Sequence, residues 1–214
     1  IRPFTSGAAP LIAVLLAGPS PAQPSWLKPQ ILSGRAGLAM AYDSARDRMV
    51  LFGGNAVGAL GDTWEWDGSV WIPRNPAAAP PARSGHTMVY DSARKRVVLF
   101  GGQVGGVALA DTWEWDGSNW MNLTGSADPD IRGTAACFDP VHQRVVVSGL
   151  LGTTLLWDGV TWSAASSPGG ATVLMAYDDN LGRVISHSFQ GSASGWSGSA
   201  WTQLPVEGWV GNRM

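Results

Sequence analysis

A single cysteine, Cys137, stands in a chain of 214 residues, so no intrachain disulfide can form and the fold must rest on its packed core. Charge is sparse as well. Lys and Arg total 14 against 16 Asp and Glu, interspersed along the chain for a net charge of −2, so the basic field of a nonspecific nucleic-acid binder is missing. Nucleic acid is excluded as a default partner. Apolar patterning with a helical period is hard to find, and the apolar run at residues 11–17 is too short to span a bilayer. No transmembrane segment is expected. What the chain has is 28 glycines, 14 prolines and 12 tryptophans, a composition of many short strands and turns.

The tryptophans are periodic. Asp111-Thr-Trp-Glu-Trp-Asp-Gly-Ser-Asn-Trp120 repeats Asp62-Thr-Trp-Glu-Trp-Asp-Gly-Ser-Val-Trp71, and worn copies follow at residues 155–162 and 194–201. Asp-Gly between strand-like runs is a hairpin signal, so Asp67-Gly68 and Asp116-Gly117 read as type I′ turns. A two-residue loop would set Trp64 opposite Trp71, and alternation would put Trp64, Trp66 and Trp71 on one face. The rings read as packing between units rather than as a sugar-stacking platform, because repeated aromatics fill cores.

Each unit reads as four strands. The first ends at a turn such as Asp91-Ser-Ala-Arg94; the second, Arg96-Val-Val-Leu-Phe100, is a continuous β-branched run that reads as a strand covered on both faces. An Asp stands five residues before an Arg at each turn, as Asp43/Arg48, Asp91/Arg96, Asp139/Arg144 and Asp178/Arg183. That Asp is expected to hold the turn's N–H groups and to meet the Arg across its mouth. A loop of variable length, residues 55–61 in the first unit and 103–110 in the second, leads into the tryptophan hairpin and is read as surface.

Ahead of the units, residues 10–22 carry a short apolar run followed by small residues, with Ser20 and Ala22 at the −3 and −1 positions of a cleavage site. Residues 1–22 are therefore read as a signal peptide whose start is missing. The expected location is secreted, periplasmic or at the cell surface. Residues 23–34, with Trp26, read as the outer strand of an incomplete unit and its linker.

The motifs Arg83-Ser-Gly-His86, Phe100-Gly-Gly102, Asp111-Thr-Trp113 and Trp120 have counterparts in Arg35-Ala-Gly37, Phe52-Gly-Gly54, Asp62-Thr-Trp64 and Trp71. With four strands and roughly 50 residues per unit, they resemble the kelch repeat of β-propellers, in the galactose-oxidase central-domain superfamily. The resemblance covers residues 26–214 and fades along the chain: the third unit has Ser148-Gly149 for the glycine doublet, and the fourth has Gly170 for the arginine and Ser188-Phe189 for the doublet. It implies an all-β fold with repeats at residues 35–82, 83–131, 132–169 and 170–214, and a further one starting at Arg213. Since kelch propellers close with about six or seven blades, it also implies an incomplete ring whose open edges favour association.

The function this resemblance implies is a non-catalytic binding or scaffold module for protein or glycan ligands. In peptide-binding kelch propellers the matching arginines form a collar at the axial mouth, so Arg35, Arg83 and Arg132 are the candidate ligand-binding residues, with His86 and the loops near Asn55 and Gln103 beside them. Loss of a ligand-gripping Arg83 would leave stability nearly unchanged. A copper radical oxidase is disfavoured: Tyr42, Tyr90 and Tyr177 share one repeated position with Phe138, Cys137 aligns with Ala41, Val89 and Ala176, and His86, His142 and His187 lack metal-ligand spacing. No cofactor or metal is expected. Sialidase-like hydrolysis is disfavoured too, since Glu65 and Glu114 are mutual equivalents that leave Glu207 alone as a carboxylate outside the repeats. A periplasmic or secreted sugar epimerase is the alternative that stays open.

Overall fold

The computed structural model describes residues 32–124, 135–149 and 153–205. The expectations for a signal peptide, for a strand at Trp26, for Arg132 and for a further repeat at Arg213 lie outside the described residues. Four antiparallel sheets of four strands carry the chain. The first holds β1 (Ala39–Asp43), β2 (Arg48–Asn55), β3 (Ala59–Trp66) and β4 (Trp71–Arg74). The second holds β5 (Thr87–Asp91), β6 (Arg96–Phe100), β9 (Thr112–Trp115) and β10 (Trp120–Asn122), with a small hairpin of β7 (Gln103–Val104) and β8 (Val107–Ala108) inserted. The third holds β11 (Ala135–Asp139), β12 (Arg144–Ser148), β13 (Thr154–Trp157) and β14 (Trp162–Ala165); the fourth holds β15 (Thr172–Asp178), β16 (Arg183–Ser188), β17 (Ala193–Trp196) and β18 (Trp201–Gln203). Among the described residues there is no helix, hence none long and apolar enough to cross a membrane.

The sheets lie face to face in chain order, with β1, β5, β11 and β15 adjoining in that sequence. Among the described residues they do not close on one another. Strand alternation explains the layering. In β6, Val97 and Leu99 point to the first sheet, packing with its Ala41, Val50 and Phe52 and with the indoles of Trp113, Trp115 and Trp120 of their own sheet. Val98 and Phe100 point the other way, against Phe138, Val145, Val147 and Trp157 of the third sheet. The third and fourth sheets meet through Val146, Leu156, Val184 and Trp196. A strand buried on both faces is what a continuous β-branched run demands.

The tryptophan hairpin differs from its expected register. Trp66 pairs with Trp71, and Trp115 with Trp120, so the loop holds four residues rather than two. The reason is local: Asp67 Oδ1 accepts from the Ser69 and Val70 amides at 2.8 and 2.9 Å, which pulls the aspartate into the turn, and of the two expected central residues Gly68 carries positive φ while Asp67 does not. Type I′ needs positive φ at both central residues. Because the slip is two residues, the indoles keep their common face and pair ring to ring, at 5.4 Å for Trp115 and Trp120 and 5.2 Å for Trp157 and Trp162.

The aspartate turn also shows a different partner. Asp43 Oδ1 accepts from the Ala45 and Arg46 amides, as expected, but the guanidinium on Asp43 is that of Arg46, 2.7 Å away, whereas Arg48 donates to the Asp47 carbonyl. Asp91 and Arg94 repeat this, and His142 takes the place on Asp139. The last turn residue is left-handed throughout: Asp47, Lys95 and Gln143 have φ of 53°, 57° and 52°, and the fourth turn uses Gly182. Lys95→Gly is therefore expected to change stability by no more than about 1 kcal/mol, in the stabilising direction, since relief of left-handed strain outweighs the added freedom of the unfolded chain. Chemical denaturation reads it, and a clear loss of stability would show that the Lys95 side chain is needed there.

Candidate functional site

At the end of the sheets where first strands begin, each arginine closes on its own sheet. Arg83 has a side chain with 0% exposure; its Nη1 and Nη2 meet the two carboxylate oxygens of Asp111 at 2.5 Å, Nη1 also donates to the Gly101 carbonyl at 2.9 Å, and Nε donates to the Pro81 carbonyl at 3.0 Å. Asp111 further accepts from Trp113 Nε1 at 2.7 Å. The Arg83 backbone belongs to the neighbouring sheet, donating to the Leu60 carbonyl and accepting from the Gly54 amide. One residue thus sews the first sheet to the second.

Arg35 builds the same clamp on Asp62, at 2.6 and 3.0 Å, with the Gly53 carbonyl as a further acceptor and Trp64 Nε1 donating to Asp62 at 2.6 Å. Burial would raise the pKa of Asp62 and Asp111, but the hydrogen bonds from Arg35 and Arg83 and from the two indoles outweigh it and hold both carboxyls below their usual range. The forks of Arg35 and Arg83, expected to form a collar open to ligand carboxylates, hold carboxylates of the chain itself. Arg132 lies outside the described residues.

His86 is buried on the seam between the first two sheets. Its ring meets Phe52 edge-on at 5.5 Å, and neither ring nitrogen makes a hydrogen bond of normal geometry. Burial and then the Arg83 charge push its pKa down to about 4, against a weaker pull from the Phe52 carbonyl. A ring so placed cannot reach a ligand at the surface.

At the opposite end a second polar cluster went unrecognised in the sequence. Glu65, with 0% exposure, accepts from Arg46 Nη1 at 2.7 Å, from Arg74 Nε at 2.8 Å, and from Trp115 Nε1 of the second sheet at 3.0 Å. Glu114 does the same for Arg94 and for Trp157 of the third sheet, at 2.8 and 3.2 Å. In the second, third and fourth sheets the indole that opens the last strand donates to a threonine one sheet back: Trp120 to Thr63, Trp162 to Thr112 and Trp201 to Thr154. Gly117 and Gly159 lie so close over the guanidinium groups of Arg46 and Arg94 that a Cβ there would stand 2.8 and 1.9 Å from them. Arginine and glutamate vary together: where the third unit has His142 for the arginine, it has Leu156 for the glutamate. That covariation was the available signal.

No protein-family model matches the chain, and no curated protein matches it. Among the described residues no three His, Cys, Asp or Glu side chains converge to hold a metal ion. The Cys137 thiol is pushed up to about 11 by burial and by Asp139, which leaves it without nucleophilic character at neutral pH. What differs from sheet to sheet is the segment after the second strand. In the first sheet it bears Val57, fully exposed; in the second it is the β7–β8 hairpin, with Val104 40% and Val107 66% exposed. Both sit at the clamp end, where Asn55 bridges Ala36 and Gln103 bridges Ser84.

Proposed function

We propose that the chain is part of a kelch-type β-propeller, exported from the cell, and acts as a binding or scaffold module for a protein or glycan ligand. The observation that carries this reading is the division between frame and loops. The recurring polar side chains, Arg35, Arg83, Asp62, Asp111, Glu65 and Glu114, are bonded to one another within the frame, while exposed apolar valines sit on segments that change length between sheets. Loops varied on a fixed frame are where binding is carried. The candidate surface is therefore the loop at Val57 together with the β7–β8 hairpin, with the arginine clamps holding both in place. Repeating sheets with adjoining first strands and an indole in every fourth strand support the propeller reading.

The test is a glycan and peptide array probed with the full chain and with Val104→Asp/Val107→Asp. Binding by the parent chain that falls at least tenfold in the variant, with unchanged thermal unfolding, is the expected result. Equal binding by both would remove the hairpin from the site, and turnover of any arrayed sugar would favour an enzyme.

A further inference from the structure

We propose that the seam between the first and second sheets is a joint released by acid, with His86 as the group whose protonation opens it. The geometry leaves the imidazolium nowhere to go. His86 is 6% exposed, neither ring nitrogen makes a hydrogen bond of normal geometry, and the residue is held between Phe52 and Gly53 of the first sheet, which meet its ring, and Gly102 of its own, which meets its base: a Cβ on Gly53 would stand 3.2 Å from Cε1, and one on Gly102 2.8 Å from the His86 Cβ. Beyond the weak pull of the Phe52 carbonyl, no acceptor stands ready for a second ring proton.

The charged groups around it oppose the proton. Arg83, three residues earlier, is a fully buried cation, and its counter-ion Asp111 already accepts both guanidinium nitrogens and the Trp113 indole. From the first sheet, the charged groups at this end are Arg35 and Asp62, bonded to each other. A proton on His86 therefore puts a second cation beside Arg83 with no free carboxylate in reach, and separating the sheets is the way to hydrate it. His86 is also not part of the repeat, since Leu38 holds the equivalent place in the first unit. The frame folds with an aliphatic side chain there, so the histidine adds something the frame does not need.

The sign follows from its depressed folded-state pKa of about 4 against an ordinary 6.5. The unfolded chain takes up the proton first, so stability is full above about pH 6.5 and falls as pH drops toward 4. Once the proton is fully taken up, well below the folded value, the folding constant is about 300-fold lower, and Phe52, Trp115 and Trp120 are the groups uncovered.

Equilibrium unfolding of the full chain at pH 7, 6 and 5, with and without His86→Leu, reads the effect, together with hydrogen exchange at the Trp115 and Trp120 indoles. The parent should lose close to tenfold in folding constant per pH unit below about 6, with faster indole exchange, and His86→Leu should flatten both. The same slope in the variant would overturn the proposal. Should the variant fail to fold, NMR titration of the His86 ring in the parent decides: an ordinary midpoint in a fully folded protein rejects the joint, and a ring that stays neutral until the fold opens supports it.

Discussion

Arg83→Ala is expected to lower stability by about 3–5 kcal/mol, a large part of what holds a domain of this size together. The loss has three physical sources. Asp111, 17% exposed, would keep its charge with only the Trp113 indole against it; the Gly101 and Pro81 carbonyls would lose their donor; and a void would open where a side chain with 0% exposure now sits. Because the Arg83 backbone is bonded to Leu60 and Gly54 while its side chain is bonded to the second sheet, the damage falls on the seam rather than on one strand. Arg35→Ala is the internal comparison. Asp62 is 39% exposed and can be hydrated when its partner leaves, so the cost there should be clearly smaller. Urea or thermal unfolding of both variants measures the difference. A stable Arg83→Ala protein would mean that the guanidinium is dispensable to the frame and would return it to the ligand-binding reading.

Frame and site were legible to different degrees for one reason: backbone periodicity leaves a mark on every unit, whereas a side-chain partner leaves one only if it changes in step. The all-β class, four-stranded units and strands buried on both faces follow from the tryptophan spacing and from runs such as Val97-Val98-Leu99-Phe100. The hairpin register did not follow, because Asp-Gly fits more than one turn and the Asp67 side chain, by capturing two amides, chose between them. The turn arginine was misassigned for a similar reason. Arg48 and Asp43 are register partners across the strands, which sequence spacing finds, yet Arg46 reaches the carboxylate from inside the turn, which spacing does not reveal. Arg35 and Arg83 stand just ahead of β1 and β5, and the carboxylate each fork holds is Asp62 or Asp111, about thirty residues on in the same sheet, a pairing that sequence spacing does not reveal. Residues outside the repeat, such as His86, carry no periodic signal at all, and only burial shows what they do.

The second large effect is expected at Glu65, where Glu65→Leu should cost about 3–5 kcal/mol and, with Arg46→His added, should cost less rather than more. Alone, the substitution strands Arg46 and Arg74, whose side chains are 30% and 36% exposed, and leaves the buried Trp115 N–H without its acceptor. Arg74 can turn to water, but Arg46 is pinned by Asp43 beneath the Gly117 turn of the next sheet and keeps its charge there. Replacing Arg46 by histidine reproduces what the third unit does with His142 over Asp139 and Leu156 in the sheet, a pair that seats Gly198 in the same way. The residual cost is then that of the Trp115 indole, about 1–3 kcal/mol for an unmet buried donor. Acid should mimic the single substitution: burial raises the Glu65 carboxyl, the Arg46 and Trp115 hydrogen bonds outweigh it, and with a folded pKa below the ordinary glutamate value its contribution is held above about pH 4 and lost as pH falls through the folded value. A double-mutant cycle over Arg46 and Glu65, read by urea unfolding at neutral pH, measures the coupling. Strict additivity of the two substitutions would show that the arginine and the glutamate vary together between repeats for some reason other than their contact.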